Sequence, residues 1–195
     1  MKHQILLTSF QTWRNHQKSN SSDDLLAEIA KLDLPQYSFS FLREMPVDTI
    51  QASSLVIGNM EILRPDAVIC CGMAESRQVL TVESNAREGE LKLHTNVDLE
   101  QLIAPLKNTE ISHDAGQYVC EALYYEVLNY LKLSSIFIPC LFVHVPVITK
   151  ENLSMMVTDF LLILEQIGEL IQENTQKEIL TELEYTGTRN PYQIP

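Results

Sequence analysis

Basic residues, long apolar runs and paired cysteine motifs are all scarce in this chain of 195 residues. Lys and Arg together number 14 against 26 Asp and Glu, which gives a formal net charge of -12. Such a field repels phosphate backbones and anionic lipid headgroups, and it argues against nucleic acid and membrane surfaces as partners. No apolar run approaches the roughly 20 residues of a membrane span. The N-terminal stretch MKHQILLTSFQTW lacks a small-residue cleavage site, so it predicts no signal peptide.

Cysteine and glycine motifs that hold cofactors are also missing. The four cysteines contain no CxxC pair, which favours neither a zinc site nor a disulfide framework; they are Cys70, Cys71, Cys120 and Cys140. Reduced thiols of this kind predict a cytoplasmic protein. The chain has neither the GxGxxG pattern of dinucleotide sites nor the GxxxxGK[ST] pattern of phosphate loops. We therefore expect no metal and no organic cofactor.

Composition and periodicity predict one folded domain. Apolar residues make up 45% of the chain and charged residues 21%, which is ordinary for a globular protein. We expect a single domain over residues 1–184 and an aperiodic C-terminal tail over 185–195. The patterns predict strands over residues 4–8, 37–43, 67–71, 78–83 and 136–145. They predict helices over residues 21–32, 49–63, 98–106, 116–131 and 153–173, and leave 88–95 unassigned.

Alternating strands and helices of these lengths predict an α/β fold in three layers, α/β/α, around a central, mostly parallel (mixed) sheet. Sites in such sheets gather at the carboxyl ends of strands. Three reactive residues fall near strand or helix ends: Glu83 closes a strand, His144 precedes Pro146, and Cys120 lies in the first turns of a helix.

These three residue types can form a nucleophilic triad. A helix N-terminus favours a thiolate at Cys120, and a neighbouring histidine can accept the thiol proton. A carboxylate such as Glu83 can then fix the tautomer of His144 and stabilise its cation. Residue types alone leave other interpretations open. A single cysteine on a helix is most often a core residue, a strand histidine is usually structural, and Glu83 fits a solvated strand end.

Three motifs carry a resemblance to a known family. Residues 71–83 read CGMAESRQVLTVE, residues 112–120 read SHDAGQYVC, and residues 142–146 read FVHVP. In this order they resemble the pyroglutamyl peptidase I family, the pyrrolidone-carboxylate peptidases or peptidase family C15. The resemblance implies a phosphorylase/hydrolase-like α/β fold and removal of N-terminal pyroglutamate from peptides. By resemblance, Cys120 is the nucleophile, His144 the base and then acid, and Glu83 the residue that orients His144.

The first loop departs from the family pattern. The family has T-G-F-x-P-F-G where this chain has TSFQTWR over residues 8–14. Phe10 is retained, and Trp13 replaces the second aromatic residue, whereas the glycines and the proline are gone. The family's two rings are candidates for holding the flat lactam ring, so the resemblance implies that Phe10 and Trp13 contact substrate.

The segment around Glu83 departs as well. The stretch after Glu83 is shorter than in the family. Arg87, which follows Ala86, is a candidate for steadying the developing oxyanion, and Arg77 is a further pocket candidate; either could instead be a surface cation. Glu121 stands where the family has asparagine, and a carboxylate beside the thiol would raise the pKa of Cys120 unless it points away.

Three functional hypotheses stay open at this point. The chain is a pyroglutamyl peptidase with a trimmed pocket, a cysteine hydrolase for another small N-acyl or lactam substrate, or a non-catalytic protein that binds such a ligand. The expected partner is a peptide or small-molecule substrate. Self-association is common in the family, so the resemblance also allows a homo-oligomer.

Overall fold

The computed structural model describes residues 2–187, with side chains described through residue 177. Within that range the strands are β1 His3–Phe10, β2 Tyr37–Met45, β3 Ala67–Met73, β4 Leu80–Glu83, β5 Asn85–Glu88, β6 Leu91–His94, β7 Thr109–Ser112 and β8 Cys140–Val145. The helices are α1 Ser21–Ile29, α2 Thr49–Leu63, α3 Leu99–Ile103, α4 Val119–Leu133 and α5 Leu153–Gly187.

The central sheet has six strands in the order β2-β1-β3-β8-β4-β7. The strands β2, β1, β3 and β8 run parallel to one another. Strand β4 runs antiparallel to β8, and β7 is parallel to β4. The prediction of a mixed, mostly parallel sheet is therefore confirmed.

Side chains of successive strand residues point to opposite faces and build a core on each side of the sheet. On β1, Ile5 and Leu7 belong to the core that also contains residues of α1, α3 and α5, while Leu6 belongs to the core with residues of α2 and α4. Strands β1, β3 and β8 are buried along most of their length, which explains why they read as apolar runs, whereas the edge strand β2 is partly exposed and alternates. The predicted three-layer α/β/α arrangement is confirmed.

Some elements differ from the sequence predictions. The unassigned stretch folds as a two-stranded hairpin of β5 and β6, with Gly89 at its tip in a left-handed conformation. The short polar strand β7 was not predicted, because four residues are too few to show a period. Strand β8 begins only at Cys140, because Pro139 has no N–H to donate and Phe137 before it is exposed.

Helix boundaries also shift. Helix α4 starts at Val119 rather than 116, because Gly116 takes a φ of 96° that a helix cannot continue. Helix α5 runs on to Gly187, so the first three residues of the predicted tail are helical, and residues 188–195 lie outside the described residues. In the described part of the chain, no helix is long and apolar enough to cross a membrane.

Candidate active site

Strand parity places the candidate residues on one face of the sheet. Gly72 on β3 and His144 on β8 are register partners. Each lies two residues after a member of the core under α4, Cys70 on β3 and Phe142 on β8, and so shares its face of the sheet. Thr81 on β4 is the register partner of His144 on its other side. Because side chains two apart share a face, Glu83 lies on the same side as Thr81 and His144. The sheet thus presents three neighbouring strands to the N-terminal end of α4.

Strand β4, which carries Glu83, runs antiparallel to its neighbour β8. We expected Glu83 at the carboxyl edge shared by parallel strands. Because β4 is antiparallel to β8, its end lies deeper in the sheet, and Glu83 is fully buried diagonally below His144. Diagonal neighbours remain within reach of long side chains. Glu83 is therefore brought to His144 from beneath and does not line the surface.

His144 and Glu83 form a close buried pair. Nδ1 of His144 lies 2.8 Å from Oε1 of Glu83, and the exposed fractions of the two side chains are 7% and 0%. A hydrogen bond here places the proton on Nδ1 and leaves Nε2 as the acceptor nitrogen. Thr81 also reaches Oε1 of Glu83, at 3.5 Å. The pair has the geometry of a histidine oriented by a carboxylate.

Arg77 connects this pair to the loop before α4. Its Nη2 donates to Oγ of Ser112 at 3.1 Å and to the carbonyl of Asp114 at 3.2 Å. The same nitrogen lies 3.8 Å from Oε1 of Glu83. Arg77 is therefore a partly exposed cation that both balances the buried carboxylate and fastens the loop leading to Cys120.

Cys120 lies directly over the glycine of β3. A Cβ atom on residue 72 would come within 2.7 Å of Sγ of Cys120, which is closer than real Cβ atoms approach other atoms, and it would make a tight contact of 3.0 Å with Cζ of Phe142. Only glycine leaves this space open. Because Gly72 and His144 are register partners, the absent side chain leaves room for Sγ above the strand next to the one that carries His144.

The electrostatics of Cys120 differ from the sequence expectation. Burial raises the pKa of the Cys120 thiol to about 12, with additional contributions from Cys70 and the charge of Glu83, while its own backbone N–H opposes the shift. The positive end of α4 does not outweigh these effects, so a stabilised thiolate is not what the environment favours. Between residues 2 and 177, no hydrogen bond joins Cys120 to His144.

Tyr124 fixes the position of α4. Its ring is fully buried, and its hydroxyl lies 3.1 Å from the carbonyl oxygen of Glu83 and 3.4 Å from that of Cys140. Tyr124 and Cys120 are four residues apart and so share a face of the helix. This anchor ties α4 to the backbone of β4 and β8, which sets the height of Cys120 above the sheet.

Cys120 and His144 both line one open cleft of about 770 Å³. Its walls come from the loop after β1, the loop after β3 and the segment before α4. The cleft also contains Trp13 and Arg77, two of the predicted substrate contacts. Among the described residues, no three His, Cys, Asp or Glu side chains lie close enough to hold a metal ion.

Trp13 forms an aromatic wall with Tyr118 at the mouth of the cleft. Their ring centroids are 5.7 Å apart with an interplanar angle of 48°, and the two residues are 47% and 67% exposed. The guanidinium of Arg14 lies 4.4 Å from the centre of the Trp13 ring. The wall is thus solvent-accessible and available to a flat ligand.

Two predicted substrate contacts are not brought to the cleft. Phe10 is 2% exposed and packs in the core with Leu6 and Met45, because strand alternation places it on the same face of β1 as Leu6. Arg87 lies on β5 and lines separate grooves beside Glu121. The described structure places neither side chain among the residues lining the cleft.

Glu121 points away from the thiol. Burial raises the pKa of its carboxyl, which is opposed by a hydrogen bond from the backbone of Arg87. Glu121 lines the grooves next to β5 and not the cleft of Cys120. The carboxylate that acts on the Cys120 pKa is Glu83.

Three residues that shape the site were not predicted from the sequence: Gly72, Tyr118 and Tyr124. The absence of a side chain at Gly72 and the hydroxyl of Tyr124 have no signature in a single sequence. The spacing of Tyr124 four residues after Cys120 is the one signal that could have pointed to a shared helix face. Tyr118 could have been noted as an aromatic residue just before the helix.

No protein-family model matches this chain. Curated relatives do match it. A pyrrolidone-carboxylate peptidase from Vibrio vulnificus (strain YJ016) is 29% identical over 174 residues, which cover 75% of this chain and 80% of that protein. A pyrrolidone-carboxylate peptidase from Brachyspira hyodysenteriae is 28% identical over 160 residues, covering 69% and 73%.

Solved structures share the fold at lower identity. The pyroglutamyl peptidase I of Bacillus amyloliquefaciens matches with a TM-score of 0.75 and 17% identity, covering 86% of this chain and 96% of that one. The pyrrolidone carboxyl peptidase of Thermococcus litoralis matches with a TM-score of 0.75 and 18% identity, covering 90% and 96%.

Proposed function

Because this chain is a divergent relative of the pyrrolidone-carboxylate peptidases, we propose that it is a cysteine hydrolase that removes N-terminal pyroglutamate from peptides. One observation supports this most strongly. The buried hydrogen bond of 2.8 Å between Glu83 and His144 belongs to a histidine that lines the same cleft as Cys120. We assign Cys120 as nucleophile, His144 as base and acid, and Glu83 as the carboxylate that orients the imidazole.

The reaction begins with a neutral thiol. Since burial raises the pKa of Cys120 to about 12, the proton leaves Sγ for Nε2 of His144 as Sγ attacks the pyroglutamyl carbonyl carbon. A Sγ–C bond forms and the carbonyl becomes an oxyanion. The backbone N–H of Cys120 at the start of α4 is a suitable donor for that oxyanion. The negative charge of Glu83 stabilises the imidazolium.

The second half of the cycle regenerates the enzyme. The C–N bond breaks, and His144 returns its proton to the leaving amine of the shortened peptide. A water molecule then attacks the thioester while His144 accepts one of its protons. The Sγ–C bond breaks, the thiol of Cys120 is restored, and free pyroglutamate is released. In this scheme Trp13 and Arg77 act at the cleft as a substrate wall and a support for the loop before α4.

Hydrolysis of a pyroglutamyl-coumarin amide tests the proposal. The wild type should release coumarin, and Cys120→Ala should reduce turnover by more than about 1,000-fold, because the acyl-enzyme cannot form. The matched control is Cys71→Ala, which removes a buried thiol on the opposite face of the sheet and should keep turnover. Equal activity in the wild type and Cys120→Ala, with both proteins folded, would contradict the triad.

A second candidate is a non-catalytic protein that binds a small lactam or N-acyl ligand. It is favoured by the raised pKa of Cys120 and by the altered first loop. In that case the wild type would show no turnover, while pyroglutamate or an N-acyl amino acid would change the fluorescence of Trp13, the one tryptophan in the chain. Turnover that is lost in Cys120→Ala removes this candidate.

The location and the oligomeric state of the protein are further parts of the proposal. We propose a cytoplasmic protein, consistent with four cysteines that are all free in the structure. Self-association is a further expectation from the resemblance, and sedimentation velocity on the purified chain measures it.

A further inference from the structure

The loop after β1 lies at the mouth of the cleft, and its residues 11–19 contain no proline. Because no proline ring fixes φ in this loop, side-chain contacts are needed to hold its backbone in one conformation. The loop nevertheless carries Trp13, whose ring forms the accessible wall beside Tyr118.

Three side chains of this loop contact one carboxylate outside it, that of Glu75. Arg14 Nη1 lies 3.1 Å from Glu75 Oε2, and His16 Nε2 lies 2.9 Å from Glu75 Oε1. Gln17 Nε2 donates to the same Oε1 at 3.1 Å. Apart from contacts within the loop and with α1, the described hydrogen bonds of residues 12–19 that reach a side chain all end on Glu75.

The contacts inside the loop carry this anchoring to Trp13. The Oε1 of Gln17 accepts the backbone N–H groups of Trp13 at 3.0 Å and Arg14 at 3.1 Å. The guanidinium that pairs with Glu75 also stacks on the Trp13 ring at 4.4 Å. Both the backbone and the ring of Trp13 are thus held by groups that bind Glu75.

The backbone on both sides of Glu75 is hydrogen-bonded. The preceding residue, Ala74, donates its N–H to the carbonyl of Val145 at 2.9 Å, next to His144 on β8. The turn is closed by a hydrogen bond from the N–H of Arg77 to the carbonyl of Ala74. The backbone at Glu75 is therefore held close to the carboxyl end of β8, the strand that carries the proposed catalytic histidine.

We propose that Glu75 is a positioning residue that fastens the loop of residues 11–19 across the cleft and so holds Trp13 in the wall against which the first residue of the substrate packs. This inference rests on the proposed function for its substrate, and on the contacts of Glu75 alone for the fastening. Exposed ion pairs are individually weak, so the effect arises from three partners that converge on one carboxylate.

Acrylamide quenching of the single tryptophan measures the fastening without any need for turnover. Glu75→Ala should raise the quenching constant of Trp13 about twofold, because the ring loses its stack with Arg14 and its packing on Tyr118. Glu75→Gln should give a smaller rise, since it keeps an acceptor oxygen and loses the charge. The matched control is Glu28→Ala, which breaks an exposed pair between Glu28 on α1 and Lys31 just after that helix, and it should leave quenching unchanged.

Steady-state kinetics measure the consequence for substrate. In Glu75→Ala the KM for the pyroglutamyl-coumarin amide should rise about threefold to fivefold, with kcat within about twofold of the wild type. Unchanged quenching in folded Glu75→Ala overturns the fastening, whatever the activity. Raised quenching with an unchanged KM overturns its role in substrate binding. If the wild type has no turnover, the proposed function fails, and quenching still decides the fastening.

Discussion

The floor and the rim of the cleft are built from different kinds of structure. We use the term floor for Cys120 and His144, which line the cleft, together with Gly72 and Glu83 beneath them. These residues lie on strands and at the start of a long helix. The hydrogen-bonded pair of the floor is almost completely buried. The rim consists of Trp13, Arg14, Glu75 and Tyr118, which lie in loops or just before a helix and are substantially exposed.

Under the proposed function, this difference separates the residues of the reaction from those that bind substrate. Positions in the floor are set by strand register and core packing, so a change there displaces reacting groups. Positions in the rim are set by exposed polar contacts, which contribute little individually and tolerate substitution. The departure from the family pattern over residues 8–14 falls on the rim residues Trp13 and Arg14, while the motifs that supply the floor are retained. We therefore expect floor variants to change kcat and rim variants to change KM.

The largest effect is expected at Glu83. Glu83→Gln keeps the shape of the side chain but removes the charge that stabilises the imidazolium of His144, so kcat should fall about 1,000- to 10,000-fold. The pKa of the Cys120 thiol should fall in the same variant, because the charge of Glu83 contributes to raising it. Pre-steady-state turnover and a thiol titration measure the two effects.

The control for this variant is Glu110→Gln, which removes a charge from the exposed face of the neighbouring strand β7. It should leave both kcat and the thiol pKa unchanged. A similar loss of kcat in both variants would mean that net charge, rather than the contact with His144, controls the rate.

The second effect is expected at Gly72. Gly72→Ala introduces a Cβ within 2.7 Å of Sγ of Cys120, so the sulfur must shift and kcat/KM should fall about 100-fold. The free energy of unfolding tests the contact directly. Gly72→Ala should cost about 1–2 kcal/mol less in a Cys120→Ala background than in the wild type, because the clashing sulfur is absent.

Gly58 on α2 serves as the matched glycine, since no atom lies within 4 Å of a Cβ built there. Gly58→Ala should stabilise the protein by about 0.5–1 kcal/mol and leave activity unchanged. If Gly72→Ala costs the same free energy of unfolding with and without the Cys120 sulfur, the two residues are not in the contact described.

The third effect concerns pH. With the pKa of Cys120 raised from its ordinary value to about 12 by burial, the free thiol is protonated at neutral pH. The rate of its alkylation by iodoacetamide should then rise about tenfold per pH unit between pH 7 and 10, without a plateau. Free cysteine, the reference, levels off above about pH 9. A plateau at Cys120 below pH 8 would instead reveal a preformed thiolate–imidazolium pair.

The smallest effect is expected at the rim. Trp13→Ala removes the accessible ring beside Tyr118, so KM should rise about fivefold to tenfold with kcat within about twofold. Trp13→Phe keeps an aromatic face and should stay within about twofold of the wild type in both constants. A loss of kcat in Trp13→Ala would break the separation between floor and rim.

Much of the fold could be predicted from sequence. Helix α2 was predicted with both of its ends, because a polar residue precedes it and Pro65 follows closely. Strands β1, β3 and β8 were predicted from their apolar runs. The hairpin of β5 and β6 and the edge strand β7 were not, because strands of four residues owe their structure to their partners rather than to a local pattern.

The candidate site could be predicted in part. Motifs predicted Glu83, Cys120 and His144 as a triad, and the structure brings the latter two to one cleft with Glu83 behind His144, while their catalytic roles stay a prediction. Phe10 was expected at the substrate, and its ring lies in the core instead. Whether an aromatic residue at the end of a strand faces a cleft or the interior depends on the register of that strand with its neighbour, which is a property of both segments.

The sequence by itself determined the residue types, their order along the chain and the alternation of strands and helices, because those depend on local pattern. Only the tertiary structure decided that β4 runs antiparallel to β8 and places Glu83 beneath His144. It also decided that Gly72 makes room for the Cys120 sulfur, and that burial overrides the helix N-terminus at the thiol. Each of these results depends on distances and desolvation between segments that are far apart in the chain, which local spacing does not encode.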